Sequence, residues 1–145
     1  MQVALRRSEA EAILRRPFLR AYGFVVRALR PGECTLDVPF RPRFERPGGV
    51  VAGPVFMAAA DVAMWLAILS RLGRHDTSVT IEMSTAFLRP VRRAGFRCRA
   101  RIVKLGRRVV YGVAESTTAD GELAAHHRLT YLRPEVGSRS GRSTD

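Results

Sequence analysis

The 145-residue sequence predicts an α+β fold in which an antiparallel sheet is layered on one long buried helix. Three observations predict it. Pro54–Leu72 is apolar on every side, with Asp61 its only charge between Val55 and Leu69. Four strand-like segments follow that stretch. In one of them Phe96, Cys98, Ala100 and Ile102 alternate with Arg97, Arg99 and Arg101, so that one face lies in a core and one in water.

The elements follow in chain order. Residues 8–22 predict a short amphipathic helix, with Ser8 as its cap, Glu11 three residues on, and Ile13, Leu14, Phe18 and Leu19 as its apolar side. Pro17 is expected to kink or split it. Phe24–Leu29 and Glu33–Pro39 predict two strands around an Arg30-Pro31-Gly32 turn. Pro42, Pro47, Gly48 and Gly49 make residues 40–49 a loop. Pro54 suits the first turn of the long helix and Gly73 the position after its end, a span of about 28 Å. Ser78–Leu88 places Val79, Ile81, Met83, Thr85 and Phe87 on one face. Phe96–Leu105, Arg107–Thr118 and Glu122–Leu132 complete the strands, the last two joined through Ala119-Asp120-Gly121.

Length predicts a single domain over residues 1–133, with the polar, Gly/Ser-rich 134–145 as a disordered tail. Apolar residues at 46% and charged residues at 26% exclude a disordered chain, a collagen and a coiled coil. Two cysteines, Cys34 and Cys98, exclude a disulfide scaffold and an all-cysteine zinc site. Met1–Arg7 carries charge with no apolar run behind it, so no targeting segment is read and a cytoplasmic location is expected. Asp61 in the middle of the most apolar stretch argues against a membrane span.

The net charge of +12, from 25 basic residues against 13 acidic ones, favours a polyanionic partner. Phosphate-bearing cofactors such as coenzyme A, anionic membrane and nucleic acid all qualify. Of the basic residues only Lys104 is a lysine. The row Arg97, Arg99 and Arg101 has no interleaved aromatic ladder, which makes nucleic acid unlikely. No HExxH, CxxC, Walker or GxGxxG motif is present, and no metal or cofactor is expected. Ser70, Ser78 and Ser84 lack a nucleophile elbow. His126 and His127 are adjacent on a strand, face opposite ways and cannot share a metal; His127 falls on the face with Leu129 and Tyr131 as a core histidine. Asp61 stands out chemically. A carboxylate amid Met57, Ala58, Met64, Trp65 and Ile68 is costly to bury without partners, and desolvation makes it a better base. The alternative is a structural aspartate satisfied by backbone N–H groups.

Several segments together carry a resemblance. Pro47-Gly48-Gly49-Val50-Val51-Ala52-Gly53-Pro54 leads into Ala58-Ala59-Ala60-Asp61 on the helix. Glu82-Met83-Ser84-Thr85-Ala86-Phe87-Leu88-Arg89-Pro90 and Lys104-Leu105-Gly106-Arg107-Arg108 follow. In this order they resemble the hotdog-fold acyl-CoA thioesterases of the phenylacetate-pathway type, over roughly Val25 to Leu132. The resemblance implies a sheet wrapped around a central helix and hydrolysis of an acyl-CoA thioester. It implies that the Gly53 N–H receives the thioester carbonyl, that Asp61 acts as general base or nucleophile, and that Thr80 orients water. Ala52 stands where the family usually has His, and Arg46 where it often has Asn or Gln; Ala52-Gly53-Pro54 is nearest to a Ser-Gly-Pro variant. Pro54, Met57, Met64 and Trp65 are expected beside the substrate, and Arg89, Arg107 and Arg108 on the phosphates of coenzyme A.

Gly53 and Asp61 are eight residues apart on one helix, about 12 Å along its axis. Both cannot reach one carbonyl, so the site requires two chains and a homo-oligomer, a dimer or dimer of dimers, is expected. The alternatives are a non-catalytic hotdog protein that binds acyl-CoA, which Ala52 and Arg46 favour, and a polyanion-binding module, which the charge favours.

Overall fold

The computed structural model describes residues 1–135, so the expected tail lies, from residue 136 on, outside the described residues. Its centre is α2, Gly53–Leu72. Ala52 enters it in extended conformation, Pro54 occupies the first turn, and Gly73 closes it at φ +93°, donating its N–H to the Leu69 carbonyl at 2.7 Å. Leu66, Ile68 and Leu69 are fully buried, and each contributes about 1.5–3 kcal/mol by leaving water. The helix is long and apolar enough to cross a membrane by length and composition, and is instead the buried core helix.

A six-stranded antiparallel sheet wraps α2, in the order β1-β2-β6-β7-β8-β5. The strands are β1 Val25–Arg30, β2 Glu33–Val38, β5 Val79–Phe87, β6 Phe96–Leu105, β7 Val109–Thr117 and β8 Leu123–Leu132. Phe96, Cys98 and Ala100 of β6 face the helix, as do Val110 and Ala114 of β7 and Leu129 and Tyr131 of β8. The helix comes so near β7 that any side chain at Gly112 would overlap Met64. On the outer face Arg97 pairs with Asp37 at 3.1 Å and Arg99 with Glu33 at 2.5 Å, exposed ion pairs that contribute little to stability.

Five expectations are corrected. The helix expected over 8–22 is α1, Arg7–Leu14, followed by a 3₁₀ turn at Arg20–Tyr22; Pro17 cannot continue the helix. Ser8 does not cap it, because the helix already begins at Arg7; instead Glu9 accepts the Arg6 N–H at 3.1 Å, and Glu11 accepts the Val26 N–H at 3.2 Å. Residues 40–49 are not featureless: a 3₁₀ turn at Pro42–Phe44 leads into a small hairpin of β3, Glu45–Arg46, and β4, Val50–Val51. The long helix is not buried on every side, since Met57, Ala58, Asp61 and Trp65 form a strip that the sheet and the N-terminal segment cover only in part. Finally, a bulge between Thr80 and Glu82 breaks the alternation of β5. Thr80, the partner of Tyr131, turns inward, while Val79 and Ile81 are left 56% and 54% exposed.

Candidate active site

Asp61 lies at the middle of the open strip of α2, in a cleft of about 610 Å³. Phe18, Leu19, Tyr22, Val62 and Trp65 give the cleft apolar walls, and Thr80 and Tyr131 bring hydroxyls from β5 and β8. The Thr80 hydroxyl donates to Asp61 Oδ1 at 2.6 Å. The Tyr131 hydroxyl lies 2.5 Å from the same oxygen and 2.8 Å from the Asp61 carbonyl oxygen. Burial, and then the adjoining Asp61 carboxylate, push the Tyr131 phenol well above its ordinary value, so it remains a donor. Both donors load Oδ1. The other carboxylate oxygen carries no hydrogen bond from the described residues and remains free for substrate or water.

Tyr131 is the partner that residue-by-residue reading missed. Its hydroxyl meets Asp61 only because β8 pairs with β5 and the β5 bulge sets Thr80 opposite Tyr131. No local motif marks that pairing.

Gly53 lines a separate cleft of about 410 Å³ with Arg46, Val51, Phe87, Leu88 and Arg89. It is the first residue of α2, so its N–H has no acceptor within the helix and the helix dipole favours a developing negative charge there. Its lack of a side chain is a matter of space: a Cβ at this position would meet the Phe87 ring at 3.1 Å.

The sequence candidates therefore divide. Asp61, Thr80 and Trp65 share one cleft, and Gly53, Arg46 and Arg89 another. Ala52 donates its N–H to the Phe44 carbonyl at 2.8 Å and holds the entry to α2. Pro54 opens a third cleft with Tyr22 and Arg43. Met57 is exposed on the open strip, whereas Met64 is fully buried against β7. Arg89 pairs with Glu122 at 3.4 Å and Arg108 with Glu135 at 3.3 Å; Arg107 is exposed. His127 is fully buried, its Nδ1 2.8 Å from the Thr85 hydroxyl. Burial, and then His126, lower its pKa to about 4, so it is neutral at physiological pH. Among the described residues no group of His, Cys, Asp and Glu is placed to hold a metal ion.

Residues 48–125, which contain Gly53, Asp61 and Thr80, match the thioesterase superfamily. The chain belongs to the thioesterase superfamily. Its fold is the hotdog fold, a sheet wrapped around a central helix. Phenylacetic acid degradation protein PaaI of Thermus thermophilus, solved as a mutant, is 30% identical; the match covers 82% of this chain and all of that one, with a TM-score of 0.72. A conserved protein of Pseudomonas aeruginosa is 28% identical over 82% of this chain and 94% of its own, with a TM-score of 0.78. A thioesterase of Haemophilus influenzae shares the fold at a TM-score of 0.84 and 24% identity, covering 92% of this chain and 95% of its own. Thioester hydrolysis is the chemistry that this superfamily carries.

Proposed function

We propose that this thioesterase hydrolyses an acyl-CoA-type thioester to a free acid and coenzyme A. The observation that carries the reading is the Asp61 carboxylate, with two hydroxyls on one oxygen and the other oxygen free in an apolar cleft. In this mechanism the Gly53 N–H polarises the thioester carbonyl. Asp61 takes a proton from water as the water adds to the carbonyl carbon, or adds to it directly to form an anhydride that water then opens. The carbon–sulfur bond breaks with its electron pair on sulfur, and the thiolate leaves. Thr80 and Tyr131 hold the Asp61 side chain in position through Oδ1.

The working unit in this reading is at least a dimer, with Gly53 of one chain facing Asp61 of another. The two edges of the sheet support it. At β1 the edge is occupied, since Arg7 of α1 donates to the Val26 carbonyl and Glu11 accepts its N–H. At β5 the edge is open and exposes Val79, Ile81 and Phe87, with Leu88 beside them. A thiol-release assay over a panel of acyl-CoAs tests the activity. Binding by calorimetry with no turnover of any member would make the protein a non-catalytic acyl-CoA binder. Light scattering tests the assembly, and an active monomer would overturn the two-chain site.

A further inference from the structure

The Asp61 cleft does not end at Tyr22. A second cleft of about 320 Å³, lined by Ala21, Tyr22, Arg43, Phe44, Pro54 and Val55, begins there. Tyr22 belongs to both. Val55 of the second cleft and Ala58 of the first are three residues apart on α2 and so adjoin on one helix face. The two clefts therefore form one groove along the helix, and Pro54 to Asp61 alone accounts for about 10 Å of it.

The ends of this groove differ in chemistry. At one end stand Asp61, Trp65 and Phe18. At the other stands Arg43, exposed and with no carboxylate within ion-pair distance among the described residues. Arg41 is fixed close by, donating from Nη1 to the Ala21 carbonyl at 3.0 Å. Its guanidinium lies against Gly23, whose left-handed backbone at φ +68° and missing side chain make that approach possible. A bond to a carbonyl oxygen leaves the charge of Arg41 uncompensated. Arg89 and Arg108, by contrast, already have carboxylate partners.

We propose that the Arg41–Arg43 end of the groove binds the phosphates of a nucleotide-bearing thiol, with its extended arm passing Tyr22 to bring the thioester sulfur to Asp61. The site rests on the acyl-CoA reading above and moves the phosphates away from Arg89, Arg107 and Arg108. Arg41 is held in place before the ligand arrives, Arg43 is free to reach it, and guanidinium forks suit phosphate oxygens.

Paired substrates test it: one acyl group carried on coenzyme A and the same group on N-acetylcysteamine, which has no phosphate. Arg43→Ala should raise KM for the coenzyme A thioester roughly tenfold, the loss of one charge-assisted contact, with kcat unchanged. It should leave the N-acetylcysteamine thioester unaffected. Arg43→Lys should recover most of the loss, which a mere packing role would not predict. The double variant Arg107→Ala, Arg108→Ala should change neither substrate. If wild-type enzyme prefers the coenzyme A thioester and Arg43→Ala keeps that preference, this inference falls alone. Wild-type enzyme that hydrolyses both thioesters equally well would overturn the acyl-CoA reading, and the phosphate site with it.

Discussion

Beside Asp61, two side-chain hydroxyls from different strands converge on one carboxylate oxygen. Beside Gly53, the candidate group is a backbone N–H at a helix start, with the Phe87 ring filling the space a side chain would need. The first cleft is made by long-range strand pairing, the second by local chain geometry. The contrast teaches that the two halves of the proposed chemistry are prepared by independent means. A carboxylate among apolar side chains needs hydrogen-bond partners, and Thr80 and Tyr131 supply them. Gly53 needs only a helix N-terminus and room. Since the halves occupy separate clefts of one chain, each can be broken without disturbing the other.

The largest effect is expected at Asp61. Asp61→Asn should lower turnover by roughly a hundredfold or more, as for loss of a general base. Its melting temperature should stay the same or rise, because a charge in apolar surroundings is replaced by a neutral amide of the same shape. A variant that is less stable yet fully active would refute the catalytic assignment and leave a structural aspartate.

Next comes the test that joins the clefts. Gly53→Ala should cost about tenfold by pressing on Phe87 and shifting the N–H donor. Mixed in equal amounts and reassembled, Asp61→Asn and Gly53→Ala chains should recover about a quarter of wild-type activity, since half the dimers are mixed and each has one intact site. No recovery in mixed dimers would place both groups in one chain.

A smaller effect is expected at the hydroxyls. Tyr131→Phe keeps the ring and removes one donor from Asp61, so kcat should fall about tenfold with the fold intact by circular dichroism. Unchanged kcat would show that Thr80 alone suffices.

The smallest concerns His127, two residues from Leu129 and four from Tyr131 along β8. With its pKa lowered to about 4, native His127 stays neutral where the unfolded chain already binds a proton. The stability present above about pH 6.5 should thus decline as pH falls toward 4, by about 3 kcal/mol in all. Urea unfolding of His127→Gln should show a flatter acid limb over that window. An equally steep limb would assign the acid sensitivity to other groups.

Much of this molecule was legible from local pattern. The bounds of α2 followed from Pro54 and Gly73, which act within one helical turn. The strands from Phe96 to Leu132 followed from alternation between core and water. Where reading failed, a distant contact had overridden the local signal. Glu11, suited to cap its own helix, is taken instead by Val26 of β1. The β5 alternation ran through Ile81 until pairing with β8 introduced a bulge and turned Thr80 inward. Tyr131 showed only as an inward residue of the last strand.

Composition, apolar period and breaker residues, which act over a few neighbours, determined by themselves that a sheet would be layered on an apolar helix carrying one aspartate. They also determined that Gly53 would stand at that helix's start. Only the tertiary structure decided which hydroxyls hold Asp61, that Gly53 lies in another cleft, and that the cleft lined by Arg43 meets the Asp61 cleft at Tyr22. Those relations depend on strand order and packing between residues far apart in the chain, and sequence spacing carries no distance across a fold.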